Sequence, residues 1–305
     1  KYLFDKFNEI IKIRNPFLIR PLYDLISFFA KKNKIFKKLL VPRFASNVFK
    51  KHGAHDRHDL VMKSEVLLSF SSKDKEKGEK LLEKMGIKNN KYVCLLIRDE
   101  NYLENRFPNE IWDYHNHRNF EIDDFNEMIN QITQRGYFVI RMGRDVKKKI
   151  SLKNSKVIDY PFSQFVSDFS DIYLMANCEL CISTSTGAEC VSRIFKKTVA
   201  QISPTIGYMY TNKNIINCML NVNCKNSNKN LKIDEIVKKG LFYANTSEDY
   251  KSSNVEIVKN DKAYFKNYID FCLDIIEGKI NKEKVFIEQK SFRDKFQKFR
   301  KKGYK

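Results

Sequence analysis

The sequence predicts an α/β fold, in which a parallel β-sheet is covered by helices on both faces. Continuous apolar runs, typical of strands buried on both faces, alternate with segments of helical periodicity along residues 90–205. Such alternation builds a parallel sheet, because consecutive parallel strands need a crossover connection, usually a helix. We therefore expect a Rossmann-like unit, with helical N- and C-terminal extensions.

The predicted elements follow one another in a regular order. Five strands are expected, at residues 92–97, 137–142, 157–158, 180–183 and 198–203. Helices are expected at residues 73–85, 122–135, 168–177, 188–195, 261–278 and 283–302. Residues 1–51 are also expected to be helical, with breaks at three prolines, whereas residues 206–260 carry only weak signals.

Positive charge is concentrated at the two ends of the chain. The formal net charge of the 305 residues is +20, of which residues 1–51 carry about half and residues 279–305 carry +8. We expect three parts: a basic helical segment at residues 1–65, a Rossmann-like domain at residues 66–278 and a basic C-terminal helix at residues 279–305. Basic ends of this kind dock on a membrane surface or on nucleic acid, or are simply solvated.

The composition excludes several classes of protein. Apolar residues make up 42% of the chain, which is too much for a disordered protein. No run of about 18 uncharged apolar residues exists, so we expect neither a membrane-spanning helix nor a signal peptide of the usual form. The seven cysteines favour free thiols, and Cys178-Glu-Leu-Cys181 lacks the second ligand pair that a zinc site needs. We expect no metal site.

The first candidate site is the run Ser183-Thr184-Ser185-Thr186-Gly187, which joins a predicted strand to a predicted helix. Small hydroxyl residues let the backbone approach a ligand, and a helix N-terminus offers free N–H groups and a partial positive charge. Ligands of open α/β sheets also bind at the carboxyl ends of strands. The run therefore predicts a phosphate-binding loop, and the alternative is an ordinary Ser/Thr helix cap.

Two further groups follow the first two predicted strands. Arg98 and Asp99 come after the first, and Arg141 and Gly143 lie at the end of the second. An arginine in such a position can bind a diphosphate through two donors, and Asp99 can orient it. Because an unpaired charge inside an apolar run is costly, we expect Arg141 to face the cleft. The alternative for Arg98 and Asp99 is a local surface ion pair.

A polar segment precedes the helix predicted at residues 122–135. It contains His115, His117, Arg118 and Asn119. An imidazole that titrates near neutrality is a plausible general base, and the arginine can bind phosphate. Either histidine is a candidate base, and the alternative is a polar surface loop.

These residues, in this order and spacing, resemble a family of bacterial glycosyltransferases encoded in surface-polysaccharide gene clusters. The resemblance extends from about residue 66 to residue 275 and lies in Val93–Tyr102, His115–Asn119, Gly136–Gly143, Val157–Tyr160 and Ser167–Gly187. In the family's usual motif an Asp precedes a Tyr-Arg-Asn stretch, and the segment from His115 to Arg118 departs from it.

More distantly, the residues around Arg98 and the helix predicted at residues 168–177 resemble the GDP-fucose-using transferases of the GT-B fold. In those enzymes an arginine of an HxRRxD-like motif binds the nucleotide diphosphate, whereas here Leu96 stands at the position of the His and a single Arg is present. Enzymes of that fold have two Rossmann-like domains. Because this sequence shows one, the resemblance implies a truncated sequence or a much-reduced acceptor domain.

The resemblance implies a metal-independent glycosyltransferase that moves a sugar from a nucleotide-activated donor to a cell-surface glycan or a lipid-linked acceptor. His115 and His117 are its expected catalytic residues. The expected donor-binding residues are Arg98, Asp99, Arg118, Asn119, Arg141, Gly143, Ser183, Thr184, Ser185, Thr186 and Gly187. We expect no cofactor and no nucleic-acid partner, and a cytoplasmic location on the inner membrane face. Two alternatives stay open: a protein that binds nucleic acid or an anionic surface through its basic ends, and a non-catalytic glycosyltransferase-like scaffold.

Overall fold

The computed structural model of the chain describes residues 68–89, 91–203, 205–206, 214–244 and 246–302. The chain divides into one compact unit, Val61–Phe296, and a second that combines Lys1–Leu60 with Gln297–Lys305. The basic helical segment predicted at residues 1–65 lies outside the described residues. The first unit contains both the predicted Rossmann-like domain and the larger part of the helix predicted at the C-terminus.

A six-stranded parallel sheet forms the centre of this unit. Its strands are β1 (Tyr92–Leu96), β2 (Phe138–Arg141), β3 (Val157–Asp159), β4 (Leu180–Ser183), β5 (Thr198–Ser203) and β6 (Ile215–Met219). They lie in the order β3-β2-β1-β4-β5-β6, and every neighbouring pair is parallel. The predicted Rossmann-like α/β fold is confirmed, because this strand order is that of a doubly wound Rossmann sheet. The sixth strand comes from the region of weak sequence signals.

Helices precede, connect and follow the strands. They are α1 (Ser72–Lys84), α2 (Asn101–Arg106), α3 (Asn126–Gln134), α4 (Asp168–Asn177), α5 (Cys190–Ile194), α6 (Ile233–Lys238), α7 (Ser247–Ser252), α8 (Lys262–Ile276) and α9 (Lys282–Lys302). Shorter 3₁₀ helices span Asp113–Arg118, Ile122–Phe125 and Gly187–Glu189, among others. The bounds of α4 match the prediction, whereas the helix predicted at residues 188–195 is a 3₁₀ turn followed by the five-residue α5.

The sheet is covered on both faces, as its apolar strands require. On one face Val93 and Leu95 of β1 belong to the same buried cluster as the apolar residues of α3 and α8. On the other face the Tyr92 hydroxyl donates a hydrogen bond of 2.9 Å to the carbonyl oxygen of Leu174 in α4. All five residues of β1 are buried, which explains why this strand is apolar without alternation.

A small antiparallel sheet and the start of α9 complete the unit. The three strands are β7 (Asn221–Cys224), β8 (Lys229–Asn230) and β9 (Val255–Val258), in the order β8-β7-β9. In α9 the Gln289 side chain donates to the Ile215 carbonyl oxygen at 2.8 Å, and Lys282 Nζ donates to Thr198 Oγ1 at 2.9 Å. These contacts tie the first half of the basic helix to β5 and β6.

Three predictions about absent features can be compared with the described residues. None of the described helices is both long and apolar enough to cross a membrane. In the same part of the chain, no group of three or more His, Cys, Asp or Glu side chains is placed to hold a metal ion. The seven cysteines are free thiols, and Cys178 and Cys181 are both buried.

Candidate functional site

A cavity of about 460 Å³ lies at the carboxyl ends of β1, β2 and β4. The chain winds in opposite directions on the two sides of the β1–β4 pair, so a crevice opens there, and ligands of doubly wound sheets bind in this crevice. Five of the residues predicted from the sequence line the cavity: Arg98, Asp99, Gly143, Thr186 and Gly187. The structure therefore brings these five residues together at one cavity, and their role in binding stays a prediction.

Other lining residues were not predicted as site residues. Tyr102 and Arg144 stand a few positions beyond predicted ones, so their neighbourhood in the sequence was a usable signal. Asp171 and Met175 come from α4, and no local pattern connects that helix to the cavity. Together with Met142 at the end of β2, these residues give a lining that combines apolar surface with a few charged groups, as ligand sites commonly do.

The first half of the predicted phosphate-binding loop is turned inward. Ser183 and Thr184 are completely buried. Ser183 Oγ accepts a hydrogen bond from the Thr186 N–H at 3.2 Å, and Thr184 Oγ1 accepts one from the Arg98 N–H at 2.9 Å. Ser185 adopts a left-handed backbone conformation and donates to a carbonyl oxygen of β5 at 3.2 Å. These three residues shape the loop and join it to the end of β1.

The second half of the loop faces the cavity. Thr186 Oγ1 is buried and has no hydrogen-bond partner, and a Cβ atom added to Gly187 would meet no other atom within 4 Å. The helix that follows has five residues, so its dipole adds less positive potential than the longer predicted helix would. A ligand here would therefore be held by loop groups and by nearby cations.

Arg98 supplies a cation that forms no ion pair with a carboxylate of the described residues. Its side chain is half-buried, its Nε has no hydrogen-bond partner, and no carboxylate of a described residue forms an ion pair with it. Burial, followed by the neighbouring charge of Arg118, lowers the pKa of the Arg98 guanidinium to about 10, and the charge of Asp99 opposes this only in part. The group is still protonated at neutral pH, and desolvating a cation that lacks an ion-paired carboxylate is unfavourable. An anion in the cavity would remove that penalty.

Arg141 does not occupy the position expected from the sequence. Its side chain is 1% exposed and is absent from the cavity lining. The guanidinium forms ion pairs with Asp159 at 3.2 Å and Asp99 at 3.7 Å, and it donates to the Lys148 carbonyl oxygen at 2.6 Å. The expectation of a cleft-facing Arg141 is therefore corrected: remote carboxylates compensate its charge. Asp99 also accepts a backbone hydrogen bond from Asn101 at 3.1 Å, so it orders the loop after β1.

The predicted histidine segment lies beside the cavity. The 3₁₀ helix Asp113–Arg118 packs against α7, and none of its residues is in the cavity lining. Its link to the cavity is electrostatic, since the charges of Arg118 and Arg98 both act on His115 and His117. Asn119 donates from its side-chain amide to the Asn116 side chain at 3.1 Å and does not reach the cavity either.

Hydrogen bonds assign opposite roles to the two histidines. Arg118 Nη2 can only donate, so His115 Nδ1 accepts at 2.7 Å and the neutral ring carries its proton on Nε2. The Ser247 hydroxyl donates to the Asp113 carbonyl oxygen at 3.1 Å, so its oxygen accepts from His117 Nδ1 at 3.3 Å. His117 Nε2 is then left with a lone pair, and this atom is buried without a partner.

Both imidazoles are neutral at physiological pH. Burial and the charge of Arg118 lower the pKa of His115 to about 3 and that of His117 to about 4. His115 can therefore donate a hydrogen bond through Nε2, whereas His117 can accept one there. The expectation of an imidazole that titrates near neutrality is wrong for both residues, because burial and the neighbouring arginines make them weaker bases than a free histidine. The two rings carry their proton on different nitrogens because the Nδ1 atom of His115 accepts a hydrogen bond from Arg118, whereas that of His117 donates one to Ser247.

Comparison of the chain with protein-family models, with curated proteins and with solved structures gave no match. The chemistry of the site has to follow from its own residues. They form a cavity within the usual volume range of small-molecule sites, at the switch point of a doubly wound sheet. The cavity has at its wall an arginine without an ion-paired carboxylate, Arg98, and a loop whose Thr186 hydroxyl has no hydrogen-bond partner.

Proposed function

We propose that the chain is a glycosyltransferase that uses a nucleotide-activated sugar, and that its cavity holds the nucleoside diphosphate. The observation that carries this proposal is Arg98, a half-buried cation on the cavity wall with no carboxylate partner among the described residues. Arg144 provides a contrast, because it lines the same cavity but is paired with Asp168 and Asp171 at 2.7 Å each. Arg98 has a charge to offer to a ligand, whereas that of Arg144 is already compensated.

In this proposal the diphosphate lies between Arg98 and the Thr186–Gly187 end of the loop. Negative charge grows on the diphosphate as the bond to the sugar breaks, and a fixed cation in a partly dry site stabilises that charge strongly. The Thr186 hydroxyl adds a hydrogen bond, and the missing side chain of Gly187 leaves room for the phosphate groups. We propose that no metal takes part, since the sequence contains no DxD motif.

The proposed base is His117. Its Nε2 lone pair would take up the proton of the acceptor hydroxyl only as the bond between the sugar and the diphosphate breaks, because a pKa of about 4 makes it a weak base in the resting site. His115 would donate a hydrogen bond to a neighbouring oxygen. The proposed acceptor is a cell-surface glycan or a lipid-linked saccharide. Replacement of His117 by Gln should remove sugar transfer while leaving nucleotide binding in place.

Calorimetric titration with UDP, GDP and CMP tests the donor site. One of these nucleotides should bind preferentially, and Arg98→Ala should weaken its binding by about 1.5–3 kcal/mol, as for a hydrogen bond to a charged group. Arg144→Ala should cost clearly less. Equal affinity of the wild type and the Arg98 variant would contradict the proposed site.

The same titrations separate the alternatives. If the chain binds none of the three nucleotides but binds polynucleotides with an affinity that falls steeply with salt, it is a nucleic-acid-binding protein. A chain that binds neither is a scaffold with a glycosyltransferase-like fold.

We further propose peripheral attachment to the inner face of the membrane through the basic ends. Residues 1–51 lie outside the described residues, so the support comes from their net charge of +10 in the sequence. Each basic side chain near an anionic leaflet gains about 1 kcal/mol at most, and salt screens that gain. The protein should float with anionic vesicles, and salt should reduce the fraction that floats. Equal recovery of the protein with neutral and with anionic vesicles would exclude this attachment.

A further inference from the structure

An unusual surface segment directly follows Arg98 and Asp99. None of the residues 101–114 is buried, although several of them are large and apolar. Tyr102, Phe107, Ile111 and Tyr114 are each at least 40% exposed, and Ile111 reaches 79%. Soluble proteins seldom expose so many apolar side chains in one place unless they contact another molecule.

Three rings of this segment contact one another, and we call them the aromatic platform, defined as Phe107, Trp112 and Tyr114. Trp112 lies at its centre, with ring centroids 5.8 Å from Phe107 and 5.9 Å from Tyr114. The Trp112 indole N–H donates to the Phe107 carbonyl oxygen at 3.3 Å, which fixes the orientation of the indole. Tyr114 in turn packs against the His115 ring with centroids 4.0 Å apart.

The aromatic platform lies beside the proposed donor cavity. Tyr102 and Leu103 of the same segment line the cavity, and Tyr114 lies close enough to Arg98 to interact with its charge. His115 adjoins the same part of the aromatic platform, since its ring packs on Tyr114 and also stacks with Trp112 at a centroid distance of 6.3 Å. A molecule resting on the aromatic platform would therefore have one end near the cavity mouth and the histidines.

The charge of the segment indicates what kind of molecule fits. Residues 101–114 contain three acidic residues and one basic residue, a net charge of −2 in a chain whose net charge is +20. This local charge disfavours an anionic membrane or a nucleic acid as the occupant. Three asparagines in the same segment, Asn101, Asn105 and Asn109, offer donors and acceptors suited to hydroxyl groups.

We infer that the aromatic platform binds an uncharged saccharide, with a pyranose ring stacked on the faces of Trp112 and Tyr114. The negative face of an aromatic ring attracts the weakly positive C–H groups on the face of a sugar ring. Naming this saccharide as the acceptor rests on the proposed glycosyltransferase function. The binding itself does not, because it depends on the aromatic platform alone.

Trp112 makes the inference directly measurable, since it is the single tryptophan of the chain. The full chain is titrated with maltotetraose, cellotetraose and chitotetraose while the Trp112 emission is recorded. At least one of these probes should change the emission saturably. Phe107→Ala and Tyr114→Ala keep the reporter and should weaken the binding roughly 2–10-fold, the range for loss of one aromatic contact. Phe271→Ala is the matched control, because it removes an exposed aromatic side chain from α8, outside the cavity lining.

Each outcome decides the inference. No response of Trp112 to any of the three saccharides, or a response that the Phe107 and Tyr114 variants leave unchanged, overturns it. A response to vesicles of anionic phospholipid with none to saccharides also overturns it and assigns the aromatic platform to a membrane. If saccharides change the Trp112 emission but calorimetry detects no binding of a nucleoside diphosphate, the carbohydrate site stands and the proposed glycosyltransferase function is wrong.

Discussion

Replacement of Arg141 by Met removes the charge that holds three strand ends together. Met keeps much of the apolar volume, so the main loss is electrostatic. The guanidinium contacts Asp159 at 3.2 Å, Asp99 at 3.7 Å and the Lys148 carbonyl oxygen at 2.6 Å, and it is 1% exposed. Removing one partner of a buried ion pair costs about 3–5 kcal/mol, because the remaining charge is left uncompensated.

The structure places the expected cost at the lower end of that range. The side chains of Asp99 and Asp159 are 10% and 19% exposed, so water can reach both. Each also keeps backbone donors: Asn101 N–H bonds Asp99, and Ile150 N–H bonds Asp159 at 2.9 Å. We therefore expect Arg141→Met to lower the free energy of unfolding by about 3 kcal/mol.

Urea unfolding followed by circular dichroism measures this loss. The denaturation midpoint should fall while the slope with urea stays constant, since the buried area hardly changes. Arg144→Met is the matched control: its ion pairs are solvent-exposed, so its cost should stay within about 1 kcal/mol. Adding Asp159→Asn to Arg141→Met should recover part of the loss. A cost below about 1 kcal/mol for Arg141→Met would refute the assigned role.

Three further predictions concern pH, the backbone and metals. The pKa values of His115 and His117 fall to about 3 and 4 from 6.5. As the pH falls, these histidines are therefore protonated in the unfolded chain before they are protonated in the folded one. The free energy of unfolding should decline as the pH falls from about 6.5 to 4. The free energy of unfolding can fall by at most about 1.4 kcal/mol per pH unit for each histidine, and solvent screening of these half-exposed groups reduces that figure. If the double variant His115→Gln/His117→Gln keeps the wild-type pH profile of urea unfolding, the two histidines are not the cause of the decline. Gly143→Ala should destabilise the fold by about 1–3 kcal/mol, because φ is 134° and the new Cβ would lie 3.0 Å from Val146, whereas Gly187→Ala should be nearly neutral in the same unfolding assay. Nucleotide binding should survive EDTA, and loss that Mn²⁺ restores would contradict the proposal of a metal-free site.

The sequence was most informative where structure is local. Four of the six parallel strands were predicted from apolar runs, because a strand buried on both faces cannot alternate with polar residues. A fifth, β3, was predicted as the two residues at 157–158. The sixth strand, Ile215–Met219, and the small antiparallel sheet were missed. Asparagines and lysines interrupt the apolar pattern there, so pairing with neighbouring strands decides the strand state.

For the site, the sequence by itself determined which residues follow the ends of parallel strands, and that placed Arg98, Thr186 and Gly187 at one edge of the sheet. It could not determine which charges are compensated. The partners of Arg141 come from the ends of two other strands, so only the tertiary structure separates a buried structural arginine from one that faces a ligand. The same holds for the histidines, because Ser247 reaches His117 from 130 residues away along the chain. Local pattern specifies elements and their order, whereas charge pairing and tautomers depend on contacts that folding creates.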